Sequence, residues 1–391
     1  MRKFLALAVL LAGCPEEPGP LPDDDDSALD DDDVADDDDA VDDDDVVDDD
    51  DAADDDDAAD DDDAVNDDDA ADDDDSASNL SPFEECFLEI LDPAFPGPDY
   101  DQFSPVVGSH CQGTNHQDIA DVERVVYLGD SVTVGTPPSL DPELYRTVLT
   151  NELVNEFPLS LPGLPWPGVD LFNGVAYDPW TDPGDFKSCA KWGARVDDLY
   201  ADNTQILDCI PLEERSKQHL VVMTIGGNDI ASLTQAGANG ATTADLWLQV
   251  DEWVQDFEDA IAFLTDPVEF PVRPYIVYST NFEFTDGTGD VESCAFAGLG
   301  DFSGDQWEDP TAQETMILHV LEQYVRIAVD YEVDVIFMLE SFCGHGFRRE
   351  DPTGRCYRGL DAELWFDLTC IHPNPTGHAV IADMFLQTIL E

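Results

Sequence analysis

Positive charge is scarce in this chain: 15 Lys and Arg stand against 91 Asp and Glu, a formal net charge of −76 over 391 residues. Such an excess repels phosphate, so nucleic-acid binding is not expected. Long apolar runs are missing too. Phe4–Ala12 is far shorter than the ~20 residues of a bilayer-spanning helix. No two cysteines have the close CxxC spacing that supports zinc, and no metal or organic cofactor is expected. The acids are unevenly spread: 35 of the 53 residues from 23 to 75 are Asp. With those, Glu16, Glu17, Arg2 and Lys3 set aside, 54 acids and 13 bases remain, a formal charge of −41. The surface beyond the Asp tract is therefore still acidic, which suits neutral or zwitterionic substrates.

The start, Met1-Arg2-Lys3 followed by apolar residues and then small ones, reads as an export signal over residues 1–13. Leu11-Ala12-Gly13-Cys14 resembles the bacterial lipobox. That resemblance implies cleavage before Cys14, acylation of its thiol and amine, and a lipid anchor in the membrane. The implied location is the bacterial cell envelope. Pro15, in place of a retaining Asp, favours the outer membrane. Residues 14–79 are expected to be the anchor and a spacer. Blocks such as Asp42–Asp45, Val46, Val47, Asp48–Asp51 recur with a period near six, which fits neither helix nor strand. Self-repulsion should keep that spacer disordered and stretched. It lacks the Gly turn and carbonyls of a calcium loop.

Residues 80–391 have a globular composition. With Cys14 taken by lipid, eight cysteines remain, an even number that suits disulfides in an exported protein. Sequence leaves the pairing open. Nearest-neighbour pairing would join Cys86–Cys111, Cys189–Cys209 and Cys343–Cys356, leaving Cys294–Cys370. Residues 80–120 read as a stapled lead-in. Short apolar runs at Val125–Leu128, Leu220–Met223, Tyr275–Tyr278 and Val333–Leu339 predict strands. Helical patterns predict helices over 141–157, 245–264, 311–330 and 375–390. Continuous apolar strands alternating with helices imply a three-layer α/β/α sandwich, flavodoxin-like, with a parallel sheet of about five strands. A site should then lie at the carboxyl ends of the strands.

Gly129-Asp130-Ser131 follows the first predicted strand directly, and by itself could be no more than a helix cap. Three further blocks follow in order. Ser188 to Arg195 carries Gly193 in a polar turn, Thr224-Ile225-Gly226-Gly227-Asn228-Asp229 ends the second strand, and Ile371-His372-Pro373-Asn374 lies near the end of the chain. Together these resemble the four blocks of the SGNH (GDSL-like) serine hydrolases over about residues 120–391, with Gly-Asp-Ser-Val where that family has Gly-Asp-Ser-Leu. The resemblance implies Ser131 as nucleophile and His372 as general base. It implies an oxyanion hole from the N–H of Ser131, the N–H of Gly193 and the amide of Asn228. A serine hydroxyl needs a base to take its proton, and the oxyanion it creates needs donors already in place.

The acid departs from that family's pattern. An Asp three residues before the His is usual there, and Thr369 stands in this place. Asp367, five before, is the carboxylate preferred for the role. A backbone carbonyl, or an impaired site, are the alternatives. Asp130, Asp229 and His378 are assigned to packing or capping. Residues 286–292, with Asp286, Asp290 and Glu292 among glycines, read as a solvated loop before a calcium site. The implied reaction is ester hydrolysis through an acyl-Ser131 intermediate. The expected substrate is an acyl ester, with lipids first and acetylated polysaccharide second. A non-catalytic surface-binding lipoprotein on a decayed hydrolase is the third reading.

Overall fold

The computed structural model describes residues 80–88, 90, 97–161, 169–170, 175–176, 184–200, 205–287, 307 and 309–391. The chain divides into Met1–Asp73 and Asp74–Glu391, and every described residue falls in the second unit. The signal, Cys14 and the Asp-rich spacer lie outside the described residues.

Five parallel strands form one sheet: β1 (Arg124–Gly129), β2 (Phe186–Ser188), β3 (His219–Thr224), β4 (Tyr275–Ser279) and β5 (Asp334–Ile336), in the order β2-β1-β3-β4-β5. β1 pairs with β3 from Arg124↔His219 to Gly129↔Thr224, so Gly129 ends level with Thr224. Every residue of β3 is buried, as its unbroken apolar run requires in a central strand covered on both faces. Alternate side chains split between two cores. Val126, Leu128, Val221, Met223, Ile276 and Tyr278 face one layer, and Val125, Tyr127, Leu220, Val222 and Val277 face the other.

The second layer is built by α1 (Tyr145–Glu156) and α5 (Pro375–Leu390). The first is built by α2 (Gly227–Ala238), α3 (Thr243–Thr265) and α4 (Pro310–Asp330). In α3 the buried positions Leu246, Val250, Trp253, Phe257, Ile261 and Leu264 recur every three or four residues. Thr242 caps it by accepting from the Asp245 N–H. Asp309 caps α4, and Asn374 caps α5 at the Gly377 N–H, each ahead of a first-turn proline. The lead-in packs Phe83, Phe87 and Tyr100 around Phe337 and is stapled by Cys86–Cys111. Cys189–Cys209 and Cys343–Cys356 form as nearest neighbours. Cys370 is also disulfide-bonded, while Cys294 lies outside the described residues.

One expectation needs correction. The apolar run 333–339 is not one strand: pairing stops at Ile336, and Met338–Phe342 turns helical. Apolar residues continue there because the turn is buried as deeply as the strand. β2, Phe186–Ser188, completes the expected count of about five strands and has no apolar run to announce it. It sits at the sheet edge and buries only Phe186.

Candidate active site

β1 delivers Ser131 through a tight turn. Gly129 has φ +121°, and an added Cβ would collide with the carbonyl oxygen of Thr224 across the sheet. Only glycine meets both demands. The Gln205 amide clamps this residue, accepting from the Gly129 N–H at 2.8 Å and donating to its carbonyl at 3.1 Å. Asp130 then caps the helical turn Ser131–Val134, accepting from the Val132 N–H at 2.9 Å. Burial pushes the Asp130 carboxyl up to about 7. The far end of the turn is held by Arg146, fully buried, which donates to the carbonyls of Thr133 at 2.9 Å and Val134 at 3.2 Å. Gly129→Ala should therefore destabilise the fold by about 3 kcal/mol or more, from backbone strain and overpacking. A thermal midpoint within ~2 °C of the parent would contradict this account.

β3 delivers Asn228. Gly226 has φ +108°, and an added Cβ there would come within 2.8 Å of the Tyr324 hydroxyl and 2.9 Å of the Asn281 amide. Asn228, in the first turn of α2, donates one amide N–H to the Ala194 carbonyl at 2.8 Å. The adjacent Asp229 accepts from the Val196 N–H at 3.2 Å, and burial pushes its carboxyl up to about 7. Both side chains thus tie the 191–196 segment to the start of α2. Gly193, φ +73°, lies in that segment, and among the described residues an added Cβ would meet nothing within 4 Å. A short 3-10 turn, Val196–Asp198, follows it.

The segment before α5 brings His372 to Ser131. The Ser131 Oγ and His372 Nε2 are 2.9 Å apart. Burial lowers the imidazole to about 4, so it is neutral at neutral pH and able to accept a proton. The expected carboxylate partner is not on the ring. Thr369 Oγ1 lies 3.0 Å from His372 Nδ1 and donates to Asp367 Oδ1 at 2.5 Å. This corrects the direct role expected of Asp367. Its carboxylate is held within its own turn, where Oδ1 also accepts from the Thr369 N–H at 2.7 Å, so it points at Thr369. His378 is buried in α5 with its ring stacked near Tyr145, a packing residue as expected.

Ser131, Asn228 and His372 line one cavity of about 70 Å³ at the carboxyl ends of β1, β3, β4 and β5. Its apolar wall includes Val132, Ile230, Phe282, Phe284, Met338 and Ile371. Asp286 is no open cation ligand: its carboxylate accepts from the N–H groups of Gly344, Gly346 and Arg348. Asp290 and Glu292 lie outside the described residues. Gln205, Arg146 and Thr369 could not be found from sequence. Each acts across a gap in the chain or as an unremarkable polar residue. The one available signal was Thr369, in the position where the resembled family has its acid.

No protein-family model and no curated protein matches the chain in sequence. Among solved structures it is similar to an acetyl xylan esterase, at 15% identity and TM-score 0.39, covering 67% of this chain and 98% of that one. It is similar to an extracellular lipase from Streptomyces rimosus at 16% identity and TM-score 0.39, covering 68% and 100%. A member of the lipolytic protein G-D-S-L family from Veillonella parvula gives 12% and 0.36, covering 68% and 96%. At such identities and scores these likenesses carry no weight for activity.

Proposed function

We propose that this chain is a serine-dependent ester hydrolase of the SGNH kind. The carrying observation is the 2.9 Å contact between Ser131 Oγ and His372 Nε2 at the mouth of a small cavity that Asn228 also lines. In this reading Ser131 Oγ attacks the ester carbonyl carbon as its proton passes to His372 Nε2. The tetrahedral oxyanion is met by the Asn228 amide and by the backbone N–H groups of Ser131 and Gly193. The alcohol leaves with the proton from His372, and water then cleaves the acyl-Ser131 ester by the same route in reverse order.

Of the two substrate classes expected from sequence, the cavity supports the shorter acyl group. The cavity beside Ser131 is small, about 70 Å³, and opens to solvent, which suits a short acyl group held against the nucleophile. Removal of acetyl groups from a glycan, whose hydroxyl is the leaving group, is the reading proposed. Export and attachment through Cys14 belong to the same proposal and rest on the first fourteen residues alone.

A series of p-nitrophenyl esters from acetate to octanoate, with fluorophosphonate labelling of Ser131, tests both parts. Activity should fall by about tenfold or more from acetate to octanoate. A maximum at octanoate would return the lipid reading. Folded protein with neither turnover nor labelling would leave the non-catalytic surface protein standing.

A further inference from the structure

We propose that Thr369 is the positioning residue of this site: its hydroxyl bridges His372 Nδ1 and Asp367, so a neutral group orients the ring and the carboxylate acts only through it. The inference rests on the ester-hydrolase reading for its meaning, though the linkage can be tested without turnover.

The hydrogen-bond chain sets the proton positions. Burial raises the Asp367 carboxyl, but its Oδ1 accepts from both the N–H and the hydroxyl of Thr369, the pattern of an ionised carboxylate, so the single Thr369 hydroxyl proton is committed to Oδ1 at 2.5 Å. Thr369 Oγ1 can then only accept from the ring, 3.0 Å away, which requires the proton of neutral His372 to sit on Nδ1. Nε2 is left with its lone pair facing Ser131 Oγ at 2.9 Å, the tautomer a general base needs. The same oxygen also receives the His372 backbone N–H at 3.2 Å, which fixes ring and main chain together. During attack the Ser131 proton moves to Nε2 and Nδ1–H stays bonded to Thr369. No proton crosses the hydroxyl, and Asp367 gains none.

Asp367 gives an independent reason to look for a role. Among the described residues its buried Oδ2 finds no hydrogen-bond partner, an arrangement that costs stability and calls for explanation. A serine or threonine turn alone would not require a buried carboxylate there. Among the other titratable groups near the ring, Asp130 lines the same cavity and is held by Val132 and Thr224. His378, on α5, is buried and pushed down to about 3, so it carries no charge at neutral pH. Arg146 reaches the carbonyls of Thr133 and Val134. Asp367 is the group linked to Nδ1, and it is one hydroxyl away.

The test uses the full chain with three substitutions. Thr369→Val removes the bridge at nearly constant shape, Thr369→Ser keeps it, and Thr369→Asp places a carboxylate directly at Nδ1. Two readouts are taken: kcat/KM against pH with p-nitrophenyl acetate, and the His372 ring titration by NMR. Thr369→Val should lower kcat about 10- to 100-fold with little change in KM, and Thr369→Ser should stay within about threefold of the parent. Thr369→Asp should raise the pH at which His372 titrates by about 1–3 units, carrying the acid limb of the rate profile with it. That shift reports that position 369 faces Nδ1; the loss of kcat at unchanged KM in Thr369→Val, rescued in Thr369→Ser, is what a merely structural threonine would not give. The proposal is overturned if Thr369→Val keeps parental kcat, or if Thr369→Asp leaves the ring titration in place. Should every protein lack turnover, the ester-hydrolase reading fails, while NMR still decides the linkage: Thr369→Val must lose the Nδ1–H preference that the parent and Thr369→Ser show. If Thr369→Val does not fold, the Ser and Asp variants alone carry the decision.

Discussion

Ser131→Ala should lower kcat for a small ester by about 10⁴-fold or more, and His372→Ala should do the same. The two atoms they remove are the pair at 2.9 Å, which in the proposed reaction supply the nucleophile and take its proton. Because they act as a unit, the double variant should be no worse than the more damaging single one. Stability should change little in Ser131→Ala. Its turn is held by Asp130, Gln205 and Arg146, none of which needs the Ser131 hydroxyl. The comparison is steady-state kinetics beside thermal unfolding, with active-site titration to exclude parental contamination. A Ser131→Ala protein that still turns over within tenfold of the parent would place the chemistry elsewhere. Additive losses in the double variant would show that the two side chains serve separate steps.

The central fold was legible because burial and periodicity coincide. Leu220–Met223 is apolar at every position and lies in β3, covered on both faces. Leu246, Trp253, Phe257, Ile261 and Leu264 follow helical spacing and are the buried line of α3. Where burial and conformation part, the sequence misleads. Phe337 and Met338 are as buried as Val335, so apolar character marked depth and hid the end of the strand. Edge strand β2 carries Lys187 and Ser188, because one side of an edge faces away from the core. The site was readable through its four blocks: Ser131, Gly193, Asn228 and His372 were named from their resemblance to a known family, and the contact between Ser131 and His372 came from the fold. Thr369 was noted only as the residue standing where the resembled family has its acid, and Asp367 was preferred because it can carry a negative charge. Its role becomes visible only when the chain folds Asp367 behind it and His372 in front.

Asn228→Ala should lower kcat about 10²- to 10³-fold, with a smaller effect on KM. The amide lines the cavity beside Ser131 and holds the Ala194 carbonyl at 2.8 Å with one N–H, which leaves its second N–H for the oxyanion. A donor already fixed in this way costs no reorganisation when charge develops on the substrate oxygen. The gain therefore falls mainly on the transition state. The same bond tethers the 191–196 turn that carries Gly193, so removing the amide also loosens the second proposed donor. Asn228→Asp separates these effects by charge. It preserves shape but cannot donate to Ala194, and it sets a negative charge beside the developing oxyanion, so it should be slower than Asn228→Ala. Fluorophosphonate labelling of Ser131 should slow in the same order, because phosphonylation builds charge on an oxygen in the same place. If Asn228→Ala folds normally and keeps kcat within about threefold of the parent, its amide has no part in the oxyanion hole. If Asn228→Asp proves as active as the parent, charge at this position does not matter and the cavity does not hold the reacting carbonyl.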